Sequence, residues 1–324
     1  MRLTNLAVLV TLSLIWGSAF ALVKVVLEDV PPMTLVAGRM TFAASFLTLA
    51  LIATGRATLL GERRSWFAFV ALGLGNNVWP FVLLTLGQQH VESSLAAILV
   101  AGMPLTTSLL AHFWIRERLT PDRALGVLVG FAGVFLLIGG DLRDVTESSG
   151  LAQLAIVAGM VGYSFGTVFA RRYLGDSDAG VWAAGQTLVG AAVMIPVALA
   201  VDQPFDLSIS AKTAIAWVSL GVVASGVAYL LFFPLIRRVT ATQASMVGYL
   251  IPVWALLIGV LILDEHLEST AFAGLGLIIA GVWIVNGGGH WLAERVFGHG
   301  RGADAPRVAS GSTDDDVSTG PAPS

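Results

Sequence analysis

The chain has no cysteine, which excludes disulfides, a thiol nucleophile and cysteine-held zinc or iron–sulfur centres. Charge is scarce: Asp, Glu, Lys and Arg make up 12% of the 324 residues, against about 25% in a soluble globular domain. No basic run offers a face to nucleic acid, and the net charge of −3 owes much to Asp314–Asp316. The five histidines are scattered and form no metal-ligand spacing. Also missing are the Gly-x-x-x-x-Gly-Lys-Ser/Thr phosphate loop, His-Glu-x-x-His, Gly-x-Ser-x-Gly and any cluster of carboxylates within the apolar segments. Direct ATP coupling is thereby excluded, and no enzyme, metal or cofactor is expected.

What is present is apolar. Hydrophobic residues are 56% of the chain and the mean hydropathy is +0.82, too little polar surface to face water. Ten apolar segments, roughly 4–27, 34–54, 66–86, 92–115, 121–140, 150–170, 181–201, 212–235, 239–263 and 269–289, are each long enough to cross a ~30 Å hydrocarbon layer. None alternates with the two-residue period of a barrel strand, so helices are expected. With the N-terminus inside, 14 of the 18 Lys and Arg residues fall on the inner side and two, Arg143 and Lys212, outside. That asymmetry predicts a multi-pass protein of the cell (inner, cytoplasmic) membrane with both termini cytoplasmic. Leu6–Gly17 followed by Ala19-Phe20-Ala21 also fits a signal peptide and its cleavage site. The internal duplication favours a retained span, since the partner at 150–170 would otherwise be unmatched. From Gly298 to Ser324 the composition turns to Gly, Ser, Pro and Asp, and a disordered cytoplasmic tail is expected over 293–324.

The chain is written twice. A shift of 148 positions carries Pro104 onto Pro252, Glu117 onto Glu265, Leu119 onto Leu267, Gly126 onto Gly274 and Gly133–Val134 onto Gly281–Val282. With small slips Trp16 falls on Tyr163, Lys24 on Arg171, Gly38–Arg39 on Gly185–Gln186 and Trp66 on Trp217. Five spans per half is an odd number, so the halves are predicted to sit upside down relative to each other. The expected fold is an all-α integral membrane protein of ten transmembrane helices in two inverted five-helix repeats, 1–142 and 148–292.

Functional candidates follow from polar and aromatic residues at mid-depth. Trp16 and Phe20 share a face at helical spacing, as do Tyr163, Gly166 and Thr167. Asn76, Asn77 and Trp79 gather on the third span, and Tyr249 lies on the ninth. Asparagine in hydrocarbon is costly unless it pairs across helices or lines a wet cavity. Taken singly these aromatics also read as packing; as a set they suggest a partly aromatic substrate cavity. Tyr249 and Trp254 stand about 140° apart on an ideal helix, so both face one cavity only if Pro252 reorients them. Pro104 and Pro252 each remove a backbone donor mid-span, predicting kinks with a hinge role or with packing alone. Lys24 and Arg39, near the outer ends of their spans, either snorkel or form a positive vestibule for carboxylates, with Arg171 at the cytoplasmic mouth. Glu117 and Glu265 are expected to pair with basic groups and fix turns, and His112 to be structural. Trp66, Trp114, Trp182, Trp217 and Trp291 are read as headgroup anchors. Gly162/Gly166 and Gly126/Gly130 let helices approach closely and suggest a dimer only weakly.

Trp16-Gly17-Ser18-Ala19-Phe20, then Lys24, Pro31 and Arg39, resembles the opening of the drug/metabolite transporter superfamily, EamA type. The run Pro104…Glu117-Arg118-Leu119…Gly126…Gly133-Val134, repeated at Pro252…Glu265-His266-Leu267…Gly274…Gly281-Val282, is similar to that family's paired domain. The resemblance covers residues 1–290. It implies ten helices in two inverted repeats, a cavity between them, alternating access, and export of amino acids, metabolites or toxic compounds, with import in some members. Tyr163 in place of Trp16 and Gln186 in place of Arg39 make the second half chemically different from the first. The expected partners are a small organic solute and the lipid bilayer, with proton coupling and a monomer or homodimer left open and no nucleic acid. A receptor or scaffold sharing these spans is the competing reading; it gives no reason for a polar, aromatic lining in both halves.

Overall fold

A backbone in hydrocarbon has no water to satisfy its amides, and every regular element among the described residues is helical. The computed structural model describes residues 3–56, 60, 63–117, 119–137, 148–173, 177–236 and 241–285, with the backbone alone at 63–64, 148, 236, 241–246 and 249. Met1–Gly289 forms one compact unit. The second unit, His290–Ser324, lies outside the described residues, as do Trp291 and the expected tail 293–324.

The helices are α1 Leu3–Leu27, α2 Pro32–Ala53, α3 Arg63–Leu72, α4 Trp79–Gly87, α5 Ser93–Val100, α6 Met103–Ile115 and α7 Pro121–Leu137. They continue with α8 Ser148–Tyr173, α9 Ala179–Val201, α10 Ala211–Gly221, α11 Ala228–Ile236, α12 Ala241–Ile262 and α13 Ser269–Trp283. Two π-helical segments, Gly73–Val78 and Val222–Val227, join α3 to α4 and α10 to α11. Among the described residues seven stretches are long and apolar enough to cross a membrane: Leu3–Leu27, Pro32–Ala53, Ser65–Gly87, Ser93–Ile115, Ser149–Tyr173, Ala179–Val201 and Ala211–Leu235. α7, α12 and α13 occupy the other three expected positions.

Local chemistry sets the ends. The Asp178 carboxylate accepts from Gly180 N and Val181 N at the start of α9, and Ser210 Oγ accepts from Thr213 N at the start of α10. Pro32 and Pro121 open α2 and α7, where a missing amide is harmless. Pro104 and Pro252 are not equivalent locally. The chain breaks at Ala101–Gly102 and Pro104 sits in the first turn of α6, whereas Pro252 lies inside a continuous α12. Trp182 and Trp217, expected as anchors, turn inward. Trp182 is 4% exposed, and Trp217 Nε1 donates to Leu35 O at 2.8 Å.

Glycine decides the tightest helix contact. A methyl group on Gly126 would lie 2.7 Å from Gly281 O, and one on Gly133 2.7 Å from Gly274 O, so α7 and α13 touch backbone to backbone. The pairing is reciprocal, because Gly274 and Gly281 are the counterparts of Gly126 and Gly133. A second reciprocal pair joins α1 to α12 and α8 to α6. Gly17 packs on Trp254, and at the corresponding places Ser164 Oγ hydrogen-bonds Thr106 Oγ1.

Polar contacts at the helix ends fall into two sets. At one end Asp202 accepts from Thr34 N (2.7 Å) and Oγ1 (2.9 Å), and Lys212 meets Glu28 at 3.1 Å. Asp29 there accepts from Ser210 N (3.0 Å) and from Thr213 Oγ1. At the other end Arg56 meets Asp178 at 2.9 Å, and Glu117 meets Arg123 at 2.9 Å and Arg171 at 3.9 Å.

Candidate functional site

The π segments are where the site begins. One extra residue in a turn leaves carbonyls free and shifts the side chains that follow. The two segments occupy matching places in the halves, 149 positions apart, so Asn76 corresponds to Ser225. Each presents a polar side chain to a polar residue about two turns into a facing helix. Asn76 Nδ2 donates to Gln186 Oε1 on α9 at 3.1 Å, and Arg39 Nε on α2 donates to Ser225 Oγ at 3.0 Å. Trp16 Nε1 donates at 3.2 Å to Ala224 O, a carbonyl of the second π segment.

Trp16, Arg39, Asn76, Gln186 and Ala224 line one cavity of about 780 Å³. Its walls include Trp16, Phe20, Arg39, Asn76, Phe81, Pro104, Thr107, Tyr163, Gln186, Tyr229 and Phe232. Towards one end the lining passes to Glu117, Arg123 and Arg171, whose side chains are 38 to 48% exposed. Towards the other it ends on Val23, Thr85 and Gln88, all buried. The cavity therefore has its mouth at the Glu117 end. Beyond the closed end the Glu265 carboxylate clasps the start of α5. It accepts from Ser93 N at 2.7 Å, Ser93 Oγ at 2.6 Å, Ser94 N at 3.0 Å and Ser94 Oγ. Burial opposes its ionisation, but the hydrogen bonds from Ser93 and Ser94 outweigh burial and hold the carboxyl below the usual glutamate range. Its partner is a helix N-terminus, where the expectation was a basic group. Glu117 does pair with bases, and His112 Nδ1 lies 2.9 Å from Glu117 O.

Arg39 departs furthest from expectation. It begins about 10 Å down α2 at ~1.5 Å per residue, and it does not snorkel. It is 8% exposed, and its Cζ lies 3.8 Å from the Phe81 ring centroid. A buried arginine costs about 2.5–3.5 kcal/mol on insertion scales. A cation–π contact of ~0.5–2 kcal/mol and a charged hydrogen bond of ~1.5–3 kcal/mol offset that cost without a carboxylate.

The remaining candidates separate. Trp16, Phe20, Asn76, Tyr163 and Pro104 line the cavity. Trp79 does not: it is 53% exposed on the outer surface, with Nε1 donating to Ala158 O at 2.8 Å. The extra residue of the π segment turns Asn76 inward and Trp79 out. Asn77 is fully buried between helices and accepts from Tyr229 Oη at 2.9 Å. Lys24 is half-buried near the clasp, within electrostatic reach of Glu265 and Glu92, and is not part of the lining. Pro252 is buried in α12, and Trp254 Nε1 donates to Ser13 Oγ at 3.1 Å. The Tyr249 side chain lies outside the described residues. Sequence reasoning missed Phe81, Thr107, Ser225 and Tyr229; the weak signal for Ser225 was its register with Asn76. A smaller cleft of about 490 Å³ lies between α2, α9 and α11, where Arg56 is already paired with Asp178.

The profile of the EamA-like transporter family matches residues 4–139 and again 150–287. A protein named uncharacterized transporter YoaV of Bacillus subtilis (strain 168) is 21% identical over 276 residues, covering 85% of this chain and 94% of that protein. A probable terminal-alkyne amino-acid exporter of Streptantibioticus cattleyicolor is 28% identical over 296 residues, covering 90% and 94%. The uncharacterized inner membrane transporter YedA of Escherichia coli (strain K12) is 28% identical over 287 residues, covering 86% and 89%. A solved crystal structure matches with a TM-score of 0.63 at 23% identity, over 91% of this chain and 99% of the other, a likeness of fold.

Proposed function

The chain belongs to the EamA-like transporter family, and from that membership we propose that it is a secondary transporter exporting a small organic solute across the cell membrane by alternating access. Its relatives are transporters rather than enzymes, and its helices make it a multi-pass membrane protein. The observation that carries the reading is the 780 Å³ cavity, lined by polar and aromatic residues, with a mouth at Glu117, Arg123 and Arg171 and a closed opposite end. With both termini cytoplasmic that mouth faces the cytoplasm, the side from which an exporter loads. Ten spans in two inverted repeats, 1–142 and 148–292, account for the reciprocal α7–α13 glycine pairs and the matched π segments. The repeats rock about the cavity, with Pro104 at the α5–α6 break and Pro252 in α12 as hinge elements, and Lys24 is an outer vestibule charge. An amino acid or related metabolite suits a lining of this mixed character, and one relative carries the name of an amino-acid exporter. Purified protein in liposomes preloaded with unlabelled amino acids is expected to accumulate labelled solute transiently by counterflow. Saturable binding without flux would overturn transport in favour of a receptor.

A further inference from the structure

We propose that the cavity selects organic anions, a carboxylate on an apolar body, and that Arg39 is the residue that takes the charge. This assignment of substrate class rests on the transport reading of the same cavity. Among the described residues no carboxylate lies within 4 Å of the Arg39 guanidinium, and its one side-chain hydrogen bond is Nε to Ser225 Oγ. Nε is engaged and one ring covers the guanidinium, so the terminal nitrogens are the donors left for a ligand. A planar fork of this kind matches a carboxylate with two parallel hydrogen bonds. Gln186 belongs to the same wall: it is fully buried, and among the described residues its Nε2 has no acceptor.

The rest of the lining agrees in sign. Among the described residues its one acidic side chain is Glu117, at the mouth and already shared by Arg123 and Arg171. Two cations against one anion leave the mouth positive, and Arg39 leaves the interior positive. A cationic solute would enter against both charges, and a neutral one would cover the arginine without satisfying it. Phe20, Phe81, Tyr163 and Phe232 provide the apolar walls. A zwitterionic amino acid keeps the carboxylate seat and presents its ammonium to neutral acceptors, so it binds as a carboxylate first.

Phenylacetate, phenylalanine and phenethylamine share a phenyl-bearing body and differ in charge. Their binding to the full-length protein in detergent, read by tryptophan fluorescence, tests the assignment apart from flux. The two carboxylates are expected to bind at least tenfold more tightly than the amine. Arg39→Gln raises their Kd at least tenfold, and Arg39→Lys retains part of the preference. If Arg39→Gln does not purify, Gln186→Glu places an acid in the same cavity and is expected to weaken the carboxylates and strengthen the amine. An amine that binds as tightly as the acids, carboxylates that fail to bind, or a variant with the wild-type preference overturns the proposal. Carboxylate binding without counterflow leaves the anion site standing and removes transport; counterflow without charge preference does the reverse.

Discussion

Tyr229 and Asn77 show how a polar residue inside an apolar bundle is held. The tyrosine hydroxyl gives Asn77 Oδ1 its hydrogen bond, while Asn77 Nδ2 finds no partner among the described residues. Tyr229→Phe therefore leaves a fully buried amide with neither end satisfied, a loss of about 1–3 kcal/mol that a lower Tm in detergent would register. Trp79→Phe is the contrasting case. It removes one bond to Ala158 O on an exposed ring, so the expected cost is about 0.5–1.5 kcal/mol with solute binding unchanged. A Trp79→Phe variant that lost binding at native stability would return that residue to the site.

Between elements, contact depends on what a missing side chain allows. Gly281 faces the backbone of Gly126 and Gly130, where nothing flexible stands to yield, so Gly281→Ala forces α7 and α13 apart. Overpacking of this kind costs about 1–3 kcal/mol. Gly276→Ala, in the same helix with nothing within 4 Å of its new methyl, is expected to be neutral or stabilising by about 0.5–1 kcal/mol through helix propensity alone. Equal Tm values for the two variants would refute the backbone contact. The clasp of Glu265 on α5 carries a pH dependence. Its carboxyl is depressed in the folded state, so the stabilisation is present above the unfolded value and is lost as pH falls through the folded one. Glu265→Gln is expected to lower Tm at pH 7, with the gap to wild type closing as the pH drops below the ordinary glutamate range. Since Glu265 stays ionised near neutrality, proton exchange at that position is not expected to drive the cycle.

For the whole molecule, the proposed alternating access and charge selection combine into one electrical prediction. An inside-negative potential of 100 mV acts on a unit charge with about 2.3 kcal/mol, roughly fiftyfold at equilibrium. Efflux of a carboxylate from liposomes is therefore expected to accelerate when a potassium diffusion potential is set inside-negative, and to slow when it is reversed. Indifference to the potential would require a compensating ion. The cysteine-free background suits single-cysteine labelling of the two ends, which would report which end of the cavity opens.

Helix, duplication and membrane character were legible in the sequence because they are properties of local composition and repeated order. Apolar runs near twenty residues have few conformations open to them in lipid, and a repeated register of Pro, Glu and Gly survives reading without coordinates. Trp16, Phe20, Asn76 and Tyr163, singled out by their chemistry, line the cavity. The facing of Trp79, the burial of Arg39 on Phe81 and Ser225, and the attachment of Glu265 to α5 were decided only in three dimensions. A π segment changes the angular phase of every residue after it, and no spacing rule in the sequence marks where the extra residue enters. Likewise, whether a cation reaches water or turns into a cavity depends on residues up to 186 positions away that only packing brings beside it.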